Sequence, residues 1–102
     1  MKTEAMIYLD YQKTLREADQ LKAIASRLKG LSSSELENCL GQVSSHWEGE
    51  NSRAYVAKGR TVSAKITKTA SQLEQAAETI RTMAKNTYNA EMRALQIARQ
   101  SH

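Results

Sequence analysis

A chain of 102 residues with no proline, no phenylalanine and only four glycines is one domain with a small private core. Its wealth of Ala, Gln, Glu, Lys, Arg, Leu and Met favours long helices, and no alternating run of four or more apolar residues argues for strands. The net charge of +4 raises nucleic acid or a membrane surface as partner, but residues 1–49 carry six basic and seven acidic side chains and residues 50–102 carry nine and four, interspersed as on a solvated helix face and without alternating aromatics.

The N-terminal stretch MKTEAMIYLDYQK has no apolar core of seven or more residues and no cleavage site, and no segment approaches the length of a membrane span. From there the apolar residues Ile7, Tyr11, Leu15, Ala18, Leu21, Ala25 and Leu28 recur at steps of three and four, one stripe on a helix. A second set, Leu36, Leu40, Val43 and Trp47, follows with steps of four, three and four. Between them lies KGLSSSELE, where Gly30 weakens a helix and Ser32 with Glu35 fits a capping box. A continuous or bent helix and a restart at Ser32 both remain open, and the first helix is expected over about 4–45.

The segment SSHWEGENSRAY is the one clear turn, expected over about 46–51, with Asn51 or Ser52 as candidate cap of a second helix. That helix, about 52–98, carries Tyr55, Gly59, Val62, Ile66, Thr69, Leu73, Ala76, Ile80, Met83, Thr87, Ala90, Ala94 and Ile97, spaced for a left-handed supercoiled seam. Residues off this row, among them Ala54, Ala70, Ala77, Ala84, Met92, Leu95 and Ala98, would stay wet in a lone pair of helices. The expectation is therefore an all-α hairpin of two long antiparallel helices that assembles into a four-helix bundle dimer. Leu21, Leu28, Leu40, Val62, Ile66, Leu73 and Ile80 are the expected seam.

Trp47, Gly49 and Tyr55 form the most specific constellation: tryptophan, any residue, glycine, then an aromatic eight positions after the tryptophan. Glycine permits the backbone of a tight interhelical turn. The indole either covers the hairpin's own end or fills a groove on a partner. A central motif of this kind between proline-free helical stripes resembles the WxG family of small helical hairpins, the early secretory antigenic target family exported by bacterial type VII (ESX) secretion systems. The resemblance implies a secreted protein without an N-terminal signal peptide, cytoplasmic before export, acting by protein binding. It implies a homodimer or a heterodimer with a related hairpin, and a larger type VII effector toxin or the secretion ATPase as further partner.

Members of that family commonly carry an export signal with an aromatic and an acidic residue four positions on. Here Tyr88 is followed by Glu91 at three positions and by Met92 at four, so the pair is a degenerate signal or ordinary surface pairing. The basic charge balance is a second departure and points to an acidic partner. Escort proteins for type VII toxins are similar in size and layout, and there one member of the complex can supply the signal.

No active site is expected. His46 and His102 are far apart, Cys39 has no ligand at metal spacing, and no glycine-rich phosphate loop occurs. Cys39 is alone, so no internal disulfide can form. Neither enzyme activity nor a cofactor or metal is expected, and nucleic acid is not. The alternative is a cytosolic basic coiled-coil adaptor or nucleic-acid-associated helical protein, favoured by the basic second half.

Overall fold

A computed structural model describes residues 2–47 and 49–101. Among these residues every regular element is helical: α1 (Glu4–Gly30), a π-helical segment (Leu31–Leu36), α2 (Glu37–His46) and α3 (Glu50–Gln100). Thr3 caps α1, its Oγ1 accepting the Met6 N–H at 3.2 Å and its carbonyl the Ile7 N–H at 3.0 Å, which satisfies amides that have no partner inside the helix.

No helix restarts at Ser32. Gly30 (φ −62°, ψ −42°) and Leu36 (φ −68°, ψ −44°) are both helical, and the capping box of Ser32 with Glu35 is not formed. Counting inward-facing residues explains the π segment. From Ile7 to Leu28 they follow the steps of four and three, but Leu28, Ser32, Leu36 and Leu40 are spaced four, four and four. Twelve residues in three turns exceed the 3.6 per turn of an α-helix, and a wider π turn absorbs the surplus. An unbroken α-helix would put Glu35, Cys39 and His46 inward in place of Leu36, Leu40 and Trp47.

The chain divides into two compact units, one of Met1–Lys22 with Gln75–His102 and one of Ala23–Glu74. In the first, the terminal unit, the two segments run antiparallel: Arg81 Nη1 lies 2.5 Å from Asp19 Oδ1, Arg99 Nη2 lies 3.4 Å from Glu4 Oε2, and Tyr11 stacks on Tyr88. Its buried side chains are Ile7, Ala18, Ala77, Ala84 and Leu95.

The second, central unit is itself a hairpin. Lys29 pairs with Glu74, Ser32 with Ser63 and Thr67, and Trp47 with Tyr55, so the partners approach one another in number toward the turn. Ala25, Ser32, Leu40, Ser52, Val56, Ser63 and Ala70 are buried. Gly59 allows the legs to close: a Cβ there would overlap the Cδ atoms of Leu40. Among the described residues no helix is long and apolar enough to cross a membrane.

The inner face of α3 differs from the expected row. Gly59, Ile66, Leu73 and Ile80 lie on it, half-buried, but Tyr55, Val62, Thr69, Ala76, Met83, Thr87, Ala90, Ala94 and Ile97 are exposed. Their places are taken by Val56, Ser63, Ala70, Ala77 and Ala84, one position further on. Ala70, Ala77, Ala84 and Leu95, expected to stay wet, are therefore interior. Small residues win because they let two backbones approach closely and pack densely, whereas periodicity alone ranks both rows equally.

Candidate functional site

The turn of the central unit is built from three conformational choices. α2 ends where Trp47 leaves the helix (φ −128°, ψ 107°) while its N–H still donates to the Val43 carbonyl at 2.9 Å. Gly49 then adopts φ +113°, a region closed to most side chains. Its carbonyl accepts the Arg53 N–H at 3.2 Å, so α3 is under way from Glu50 and Asn51 and Ser52 sit inside its first turn rather than ahead of it.

Trp47 and Tyr55 meet across this turn with ring centroids 5.3 Å apart and planes inclined by 41°, an arrangement that contributes about 0.5–1.5 kcal/mol beyond area burial. The two rings nevertheless remain 45 % and 63 % exposed. One face of the indole thus rests on the hairpin's own second leg and much of the rest is open. Trp47, Gly49 and Tyr55 form one cluster at one end of the central unit.

Of the other residues singled out by sequence, Leu40 is buried under Gly59, Leu21, Leu28, Ile66, Leu73 and Ile80 are half-buried, and Val62 is 50 % exposed. Tyr88 and Glu91 face a cleft of the terminal unit of about 340 Å³, together with Lys2, Tyr11, Ile80 and Met83. The Tyr88 ring centroid lies 4.8 Å from that of Tyr11, the two planes inclined by 28°. Glu91 Oε2 is 3.2 Å from Lys2 Nζ, which also lies 3.0 Å from Asp10 Oδ2. Hydrogen bonds to Asp10 and then to Glu91 hold the Lys2 pKa above the ordinary 10.5. Tyr88 and Glu91 are thus both engaged by neighbours within the chain.

Sequence reasoning passed over a buried hydroxyl layer. The Ser32 Oγ donates to the Ser63 carbonyl at 2.9 Å and lies 2.5 Å from Ser63 Oγ and 3.0 Å from Thr67 Oγ1. Thr67 in turn donates to the Ser63 carbonyl at 3.1 Å. Local pattern offers no signal for partners so distant along the chain. Among the described residues no group of three or more His, Cys, Asp or Glu is placed to hold a metal ion, and Cys39 is exposed.

No protein-family model, no curated protein and no solved structure matches the chain.

Proposed function

We propose that the chain is a small interaction protein of a type VII secretion system, a WxG-type hairpin that pairs with itself or with a related hairpin and is exported or escorts an exported effector. The observation that carries this reading is the turn: Gly49 at φ +113° between two helical legs, with Trp47 half-exposed against Tyr55. Recognition, not catalysis, is the work of such a surface: rigid aromatic anchors supply contact area at low entropic cost. The exposed row Tyr55, Val62, Met83 and Ile97 supports an assembly in which a further helix covers α3.

Co-purification from the native cell tests the proposal. Recovery with a second helical hairpin, a toxin or the secretion ATPase is the expected result; a solitary monomer with none of these overturns it. Trp47→Ala is expected to weaken partner binding or export with helicity kept, and Leu73→Asp to abolish assembly by placing an unpaired charge in a half-buried seam.

A second reading has one observation in its favour. Arg53, Lys58, Arg60, Lys65 and Lys68 follow one another in α3 with no acidic residue between them. A basic adaptor that binds nucleic acid would show affinity falling steeply with salt; no binding at low salt removes that reading.

A further inference from the structure

The central unit has a second cleft whose lining differs from that of the terminal one. It measures about 230 Å³ and is walled by Ser44 of α2 and by Ser52, Arg53, Val56, Ala57 and Arg60 of α3. Arg53 and Arg60 are seven positions apart, two turns along one helix face, and both line the same notch. Among the described residues no carboxylate lines it, and neither arginine forms an ion pair with another described residue. Ser52 is only 4 % exposed and borders the cleft. Val56 and Ala57 complete the lining with apolar surface.

We propose that this notch binds a phosphoryl dianion, with the Arg53 and Arg60 guanidinium groups as its main ligands and the Ser44 and Ser52 hydroxyls as further donors. The volume lies below the range of about 300–1,000 Å³ typical of drug-sized ligands, which suits a small ion or a single phosphorylated group. A phosphoryl group presents three or more acceptor oxygens and about two negative charges. That matches two planar guanidinium forks plus two hydroxyls, whereas a carboxylate would leave donors unused. The ligand reaches the notch either as free phosphate or as a phosphorylated side chain on a partner. The inference needs neither secretion nor dimerisation.

The test is a titration of the whole, isotope-labelled chain followed by amide NMR at constant ionic strength. Three ligands are used: inorganic phosphate, a phosphoserine peptide and the same peptide unphosphorylated. Saturating shifts confined to the amides around residues 44 and 52–60 are expected, with affinity reduced roughly tenfold or more in Arg53→Gln and in Arg60→Gln. Arg60→Lys, which keeps the charge but not the fork, is expected to weaken binding as well, and Lys65→Gln to leave it unchanged. Saturation by inorganic phosphate supports a free-ion site; saturation by the phosphopeptide alone supports a partner-borne ligand. Shifts that never saturate overturn the proposal. So does binding that falls equally with Lys65→Gln, or that an oligonucleotide reproduces in proportion to all the cations of α3, since diffuse charge then explains it.

Discussion

The Oγ atoms of Ser32 and Ser63 lie 2.5 Å apart, buried between the two legs of the central unit, one on the π-helical segment and the other on α3. Each hydroxyl also reaches the other residue's carbonyl, at 2.9 and 3.4 Å. Truncating either side chain removes the hydroxyl–hydroxyl contact and leaves the other hydroxyl its bond to the opposite carbonyl. Ser63→Ala and Ser32→Ala are each expected to lower stability by about 0.5–1.5 kcal/mol. A double-mutant cycle in urea denaturation should return a coupling of about 0.5–3 kcal/mol; additive losses would mean that the hydroxyls do not act as a pair.

The π turn yields a sharper expectation. Deleting Ser34 shortens the interval from Ser32 to Leu36 by one residue and restores the alternation of four and three through Leu40, Val43 and Trp47. The shortened chain is expected to be fully helical and at least as stable as the parent in thermal unfolding. A large loss of stability would show that the wide turn is required for reasons other than phase.

Gly59 is a site where helix propensity and packing oppose each other. Alanine there gains about 1 kcal/mol in propensity but overlaps Leu40, at a cost of about 1–3 kcal/mol. Gly59→Ala alone is expected to be neutral to destabilising by about 2 kcal/mol. In a Leu40→Ala background the same change should stabilise, and equal effects in both backgrounds would refute the overlap.

At the turn, Gly49→Ala forces a side chain into φ +113° and is expected to cost about 1–2 kcal/mol. Trp47→Ala, by contrast, removes a half-exposed ring and should leave far-UV circular dichroism nearly unchanged. Together the two variants separate the residue that shapes the turn from the one displayed on it.

Lys2 supplies a pH dependence. Its pKa is raised by Asp10 first and Glu91 second, so the folded protein holds this proton more tightly than the unfolded chain does. The contribution is complete below the ordinary lysine value of 10.5 and is lost as pH rises through the raised one. An NMR titration of the Lys2 ammonium should report a value above 10.5, and Glu91→Gln should move it back toward 10.5. No movement would mean that the Lys2–Glu91 contact is not populated.

What the sequence makes legible follows from which physical signals are local. The inward stripe from Ile7 to Leu28 can be read because its large and small members share one phase, and the turn can be read because Gly49 has a freedom no other residue type has. The phase break after Leu28 is visible in the spacing too, although Ser32 followed by Glu35 imitates a helix start. The inner row of α3 is not visible: Tyr55 and Val62 repeat at the same interval as Val56, Ser63 and Ala70. Only the approach distance set by Gly59 and the alanines decides between them, and that distance depends on the opposite leg. The Ser32, Ser63 and Thr67 layer is hidden for the same reason.

On α3 the concealed side chains are mostly small and the displayed ones mostly large, the reverse of what a self-sufficient pair of helices would choose. Covering Val62, Met83 and Ile97, each at least half-exposed, would yield up to about 1.5–3 kcal/mol apiece. The outward flank of this helix is thus a store of unused adhesion, larger per residue than the alanine contacts beneath it.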